Sequence, residues 1–228
     1  TATTDFVIDN CEITETGIGV SILGQNIIIR NSHIHDITHD GIQLSGCTNA
    51  IIENNQIHGL DDGVYDNEAS WSRHCDGIHF FVQGAPSADL IVPNTNITVR
   101  GNHIYDTEAQ GIQFNNYFRF PELKQKDFKF YNNVLGPTGA ITLNNAEAVD
   151  SISIFHNTFI TGSRDYSNPN SETKRTITCS NSEIRVSSDS TKVELYNNIL
   201  KNADSSHENA LLWDYNLITN PTPGRAYP

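Results

Sequence analysis

Seven short segments of the chain repeat one pattern of apolar and polar residues. They are Phe6-Val7-Ile8-Asp9-Asn10, Ile27-Ile28-Ile29-Arg30-Asn31, Ala50-Ile51-Ile52-Glu53-Asn54, Ile97-Thr98-Val99-Arg100-Gly101, Phe128-Lys129-Phe130-Tyr131-Asn132, Ile152-Ser153-Ile154-Phe155-His156 and Val193-Glu194-Leu195-Tyr196-Asn197. First and third positions are mostly apolar, and second and fourth positions are more often polar. That alternation is the period of a strand with one face buried. Each segment then turns through a polar pair and adds one more apolar residue: Ile13, Ile34, Ile57, Ile104, Leu135, Phe159 and Leu200. A short loop leads to another strand, as in Gly17-Ile18-Gly19-Val20, Gly41-Ile42-Gln43-Leu44, Gly111-Ile112-Gln113-Phe114 and Ala140-Ile141-Thr142-Leu143. The shortest repeat, about 21 residues, is the length of one solenoid coil, and no long segment has helical periodicity.

The pattern predicts an all-β chain, a single-stranded parallel β-helix of about seven or more coils with inserted loops. One domain is expected over 1–228, with coils over about 5–216 and an extended tail over 217–228 that covers the open end. Asn55, Asn102, Asn133, Asn157 and Asn198 share one repeat position directly after a strand, where stacked asparagines cap a corner. His35, His58 and Tyr105 share another and form a surface ladder. Parallel side chains do not converge as a metal tetrahedron does.

The recurring Ile-x-Asn-Asn-x-Ile and Gly-Ile-Gln-Leu segments resemble the right-handed parallel β-helix repeat region of polysaccharide lyases, some glycoside hydrolases, alginate epimerases and phage tailspikes. The resemblance covers essentially all of 5–216 and implies right-handed coiling, in line with the crossover rule. It also implies a carbohydrate-active protein whose long face holds a glycan chain. Fold does not fix activity. The calcium triad plus arginine of pectate lyases, the Asp-Pro-His-Glu of alginate epimerases and the Asn-Thr-Asp of polygalacturonases are not present.

Three units are longer than one coil, and such insertions usually map to loops on one face. The first, Gly59 to about Thr95, carries Asp61, Asp62, Asp66 and Glu68, then Trp71, Arg73, His74 and the segment Cys75-Asp76-Gly77-Ile78-His79-Phe80-Phe81. The second, Tyr117 to Lys126, carries Tyr117, Phe118, Arg119, Phe120, Lys124 and Lys126. The third, Gly162 to Arg175, is rich in Ser, Asn and Pro. Asp62-Gly63-Val64-Tyr65 follows Ile57 at the regular interval, so either it or Asp76-Gly77-Ile78-His79 takes the regular strand position. Aromatic and titratable neighbours favour Asp76.

Aligning the repeats places Gly19, Gln43, His79, Gln113 and Thr142 at one outward position, with Asp40 and Asp76 at another beside it. A strand spacing of about 4.8 Å then gathers Asp40, Asp76, Gln43, His79 and Gln113 into one polar patch, with His39, His74 and Trp71 close by. Three chemistries suit it. In a hydrolase, Asp76 with Asp40 or Asp62 would act as the two carboxylates, at about 5 Å for retention on neighbouring coils or with a coil between them for inversion. In a lyase or epimerase, His79 or Tyr117 would remove the C5 proton of a uronate, and Arg119 or Lys124 would neutralise its carboxylate. As a metal site, His74, Asp76 and His79 would take a transition metal, or Asp61, Asp62, Asp66 and Glu68 calcium. The favoured expectation is a polysaccharide lyase. The alternatives are a paired-Asp hydrolase and a non-catalytic glycan-binding or structural module. Gln43, Gln113, Trp71, His74 and Lys124 would bind the substrate.

Charge narrows the partners. The 228 residues hold 14 Lys plus Arg against 27 Asp plus Glu, a net charge of −13. That balance disfavours nucleic acid or an anionic membrane surface; the polysaccharide partner is what the resemblance implies, and the oligomeric state stays open. There is no apolar run of transmembrane length. The chain has no methionine, as expected of a mature or trimmed chain whose leader lies outside it, so secretion is expected. Four cysteines do not decide the compartment. Cys47 and Cys75 either pair across the patch or remain buried thiols.

Overall fold

The computed structural model describes residues 3–60, 75–82, 92–107, 109–115, 124–136, 141–143, 149–160, 163–167, 174–178, 184–186, 193–200 and 212–219. Among these every regular element is a strand, and no helix is long and apolar enough to cross a membrane. Three parallel sheets run along the molecule; among the described residues the first and second have eight strands each and the third has six, and a coil visits them in that order.

The first sheet stacks β1 (Thr3–Asp9), β4 (Gly24–Arg30), β7 (Thr48–Glu53), β10 (Thr95–Arg100), β13 (Gln125–Tyr131), β16 (Val149–Phe155), β21 (Val193–Tyr196) and β23 (Leu212–Asp214). The second stacks β2 (Glu12–Thr14), β5 (His33–Ile37), β8 (Gln56–Leu60), β11 (His103–Ile104), β14 (Val134–Leu135), β17 (Thr158–Phe159), β22 (Ile199–Leu200) and β24 (Leu217–Ile218). The third stacks β3 (Val20–Ile22), β6 (Ile42–Ser45), β9 (Ile78–Phe81), β12 (Ile112–Asn115), β15 (Ile141–Leu143) and β20 (Ile184–Val186). The repeated segments of the sequence therefore fall in register, with Ile27, Ala50, Ile97, Phe128, Ile152 and Val193 stacked along the first sheet. Because β24 pairs with β22, residues 217 and 218 belong to a coil and not to the expected tail.

Alternate residues point into a continuous core, as period-two burial requires. Ile29, Ile34, Ile42, Ile52, Ile57, Val99 and Ile104 are all fully buried there. In the middle coils the filling is aromatic. Phe80, Phe114, Phe128 and Phe130 pack together, with Phe80 and Phe114 stacked at 4.9 Å and Phe128 edge-on to Phe114 at 4.9 Å.

The corner between the first two sheets is closed by the expected asparagine ladder, extended by Asn216 and headed by Ser32. The Oδ1 of Asn102 accepts from both the backbone N–H and the Nδ2 of Asn55, each at 3.0 Å. Asn133, Asn157, Asn198 and Asn216 repeat that pair of bonds for the preceding coil. The residue before each ladder position turns through positive φ, as at Asn54, Asn132, His156 and Asn197, the left-handed region that asparagine tolerates best among non-glycine residues.

Two points left open by the sequence are decided here. The third excursion contains an antiparallel hairpin, β18 (Ser163–Ser167) with β19 (Lys174–Thr178). Of the two alternatives for Cys47 and Cys75, the thiols hold: Cys47 is a buried thiol and forms no disulfide with Cys75. Ile42 pairs with Ile78, which sets Cys75 ahead of β9 and Cys47 beyond the far end of β6, too far apart for a bond that needs Cα atoms within about 7 Å. Burial pushes the Cys47 thiol up to about 11, and its S–H donates to the Ile22 carbonyl at 3.3 Å.

Candidate functional site

The third sheet carries the polar row. Its register settles the competition between the two Asp-Gly segments. Ile78 pairs with Ile42 on one side and Ile112 on the other, so Asp76-Gly77-Ile78-His79 occupies the regular strand and the insertion precedes it. Gln43, His79, Gln113 and Thr142 share one register position, joined by Ser21 at one end and Arg185 at the other. Gly19 does not belong to that position. It stacks with Gly41, Gly77 and Gly111, two residues earlier, because Gly19 donates its N–H to Asp40, Gly41 to Asp76 and Gly77 to Gln110.

This glycine column brings the coils close. A Cβ on Gly77 would stand 2.5 Å from the Gly111 carbonyl oxygen and against Cγ2 of Ile104. Immediately before it, Asp40 and Asp76 bridge coils through their side chains. Asp40 Oδ1 accepts the Asp76 N–H at 2.8 Å, and Asp76 Oδ1 accepts the Gln110 N–H at 2.9 Å. Both aspartates are completely buried.

The other carboxylate oxygen of Asp40 faces the row. Oδ2 lies 2.9 Å from His79 Nδ1 and accepts from Gln43 Nε2 at 2.7 Å. Asp76 Oδ2 is 3.8 Å from the same Nδ1. His39 Nδ1 accepts the Asp40 N–H at 2.9 Å. Burial pushes the Asp40 carboxyl up, but the His79 hydrogen bond and charge, the Asp76 N–H and the Gln43 amide outweigh it and hold the carboxyl below the usual carboxylate range. An ionised Asp40 fixes Nδ1 of His79 as the protonated nitrogen and leaves the ring lone pair on Nε2. The His79 side chain retains 13% exposure, whereas the aspartates have none. Its ring lies 5.2 Å from that of Phe81, and Gln113 beside it is buried.

Five of the expected residues, Asp40, Asp76, Gln43, His79 and Gln113, therefore fall on one patch. Lys124 does not; Thr95 pairs with Lys126, which places Lys124 at the next corner, beyond the end of β12. Asp61, Asp62, Asp66, Glu68, Trp71, His74, Tyr117 and Arg119 lie outside the described residues. Ligand atoms of Asp40, Asp76 and His79 lie within 4.8 Å of one another, a spacing open to a cation.

Two features escaped sequence reading. Arg185 shares the register position of the polar row, and the apolar-polar-apolar order of Ile184-Arg185-Val186 was its signal. Asn94 ties the corner after the site strands. It accepts from the Cys47 N–H at 2.8 Å and donates to Leu44, Phe81 and Gln125.

Three parallel sheets wound coil upon coil, with an internal polar ladder, define a parallel β-helix. The right-handed beta helix region family matches residues 2–200, and the chain belongs to it. Among solved structures it is similar to an alginate lyase from Paenibacillus sp. str. FPU-7, at 17% identity and a TM-score of 0.54 over 81% of this chain and 53% of that one. It is also similar to the catalytic unit of a thermostable GH87 alpha-1,3-glucanase from Streptomyces thermodiastaticus strain HF3-3, at 16% identity and a TM-score of 0.58 over 86% of this chain and 33% of that one. The chain thus spans about half the length of the first and a third of the second. A sequence search of curated proteins gives no match.

Proposed function

We propose that the protein is a polysaccharide-degrading enzyme that cleaves a uronate-containing chain by elimination, with His79 as the base. The observation that carries this reading is the bond from Asp40 Oδ2 to His79 Nδ1. A buried carboxylate that accepts from one imidazole nitrogen fixes the tautomer and the orientation of the ring, so that the other nitrogen is the one that can take a proton. Of the three ionisable groups of the patch, the imidazole alone has surface with which to meet a sugar.

In the proposed reaction Nε2 of His79 takes the C5 proton, the C–H electron pair forms the C4–C5 double bond, and the C4–O bond breaks. Tyr117 would return a proton to the leaving oxygen. Arg119 would hold the uronate carboxylate and stabilise the charge that develops on it. Gln43 and Gln113 flank the base on the neighbouring coils. The similarity to an alginate lyase supports elimination, and a polymeric substrate implies secretion and an extracellular site of action.

A paired-carboxylate hydrolase has its own support, since Asp40 and Asp76 oxygens lie within 4.8 Å, near the retaining distance of about 5 Å. Their complete burial and their bonds to backbone N–H groups weigh against direct contact with a sugar.

The test is a panel of uronate and neutral polysaccharides read together by ultraviolet absorbance of unsaturated products and by reducing ends, with and without chelator. Both signals, lost in His79→Gln, are expected. Reducing ends without absorbance would establish the hydrolase, and silence in both channels would leave a glycan-binding or structural module. Loss with chelator would point to a required metal ion, either calcium held by Asp61, Asp62, Asp66 and Glu68 or a cation held by Asp40, Asp76 and His79.

A further inference from the structure

The outer face of the second sheet, at the N-terminal end of the stack, carries a group of imidazoles that the proposed reaction does not use. Register places Glu12 beside His33 and Gln56, and Thr14 beside His35 and His58. The expected ladder of His35, His58 and Tyr105 is present, with His58 stacked on Tyr105 at 4.6 Å. His33 changes its meaning. It stands two residues before His35 on the same strand and therefore on the same face, so the histidines form a cluster and not a single file.

The contacts converge on His33. Its Nε2 lies 2.8 Å from Nε2 of His58 across the coil boundary. Glu12, His33 and His35 each offer a ligand atom within 4.8 Å of the other two, and Glu12 Oε1 is 3.2 Å from His35 Nε2. Two imidazole nitrogens at 2.8 Å need a proton between them. Donors on a tetrahedral ion with bonds of about 2.0–2.1 Å stand roughly 3.3 Å apart, so an ion can replace that proton with small outward movements. The rings of His33 and His35 are stacked at 4.0 Å, and the partial exposure of both leaves room for the rotation about χ2 that turns their nitrogens towards one centre.

A second arrangement matches what metal-bound histidines require. His35 Nδ1 lies 2.9 Å from Asp36 Oδ2, which directs Nε2 towards Glu12 and His33. A carboxylate behind the imidazole fixes its tautomer and raises its strength as a ligand. Asp36 is held in place by its own backbone, which turns at positive φ.

We propose that Glu12, His33, His35 and His58 form a site for one divalent transition-metal ion of the Zn²⁺, Ni²⁺ or Cu²⁺ type, oriented by Asp36. Three imidazoles with one carboxylate suit these ions and not the oxygen-seeking calcium or magnesium. The ligands come from β2, β5 and β8, so the ion clamps three successive coils. Binding to the folded state alone stabilises that state by mass action.

The test uses the intact chain, stripped with chelator and titrated with Zn²⁺ by calorimetry, with thermal unfolding alongside. One equivalent bound and a raised unfolding temperature are expected, with both lost in the double variant His33→Gln/His58→Gln. Asp36→Asn, which keeps a residue that accepts positive φ, is expected to weaken binding about 10- to 100-fold. Absence of saturable binding overturns the proposal. So does one equivalent that survives in the double variant and disappears in Asp40→Asn, because the ion would then sit on the Asp40, Asp76 and His79 patch.

Discussion

His79 owes its proposed role to a single buried partner. Asp40→Asn keeps the size of that partner but replaces the oxygen that faces Nδ1 with a group that carries no charge, so the imidazole loses its fixed tautomer. Activity is expected to fall at least about 10²-fold, the usual scale of an acid–base contribution, while Gln43→Ala should chiefly raise KM. The same aspartate gives the fold a pH dependence. Its folded-state carboxyl titrates below the usual range, so the stability it contributes is fully present above about pH 4 and is lost as the pH falls through the lower folded-state value. Denaturant midpoints should be level from neutral to mildly acid pH in this respect and drop below it, and Asp40→Asn should flatten that drop. What could be read of the patch from sequence was its membership: Asp40, Asp76, Gln43, His79 and Gln113. What could not be read was depth. Asp-Gly looks the same whether its carboxylate reaches water or, as here, accepts a backbone N–H from the next coil.

Strands of the third sheet are held by what lies on either side of them. Inward, Phe80 and Phe114 fill the middle coils; outward, His79 and Gln113 alternate with them. Phe80→Ala should cost about 3–5 kcal/mol, read as a lower urea midpoint. Gly77→Ala places a methyl group against the Gly111 carbonyl and Ile104, which the stack must relieve by separating two coils. Loss of the product signal together with cooperative unfolding is the expected result. Asn102→Ala removes the acceptor of two buried Asn55 donors. With each orphaned group costing about 1–3 kcal/mol, it should destabilise the chain without altering any surface of the site. The first sheet was legible because its period-two pattern recurs with few interruptions. The third was less so, since the insertion after Leu60 offers two Asp-Gly starts and spacing alone prefers the wrong one. Only pairing with both neighbours, which binds Ile78 to Ile42 and Ile112, decides between them.

The stacking of coils explains both why the architecture could be read and why the chemistry could not. Each rung repeats the demands of the one before it, so hydrophobic positions reinforce one another along the sequence, and the ladder asparagines mark every turn. The chemistry depends on single side chains brought together across coils, and on insertions that obey no repeat. Tyr117 and Arg119 belong to those insertions. His33 was overlooked for the same reason: the period that links His35 to His58 passes over it, although it shares their face.

The asparagine ladder carries a further implication for how such a chain changes over evolutionary time. Every bond between its side chains runs the same way, with the Nδ2 of one coil entering the Oδ1 of the next. Each Nδ2 also donates back to a backbone carbonyl of the coil before, so each coil presents the same pair of matching faces. A duplicated coil fits between any two others without altering either junction, and an excised coil leaves two ends that match. The number of rungs can therefore change by whole units through recombination, and the length of the outer face can change with it, while the grouping on any one set of adjacent rungs stays intact.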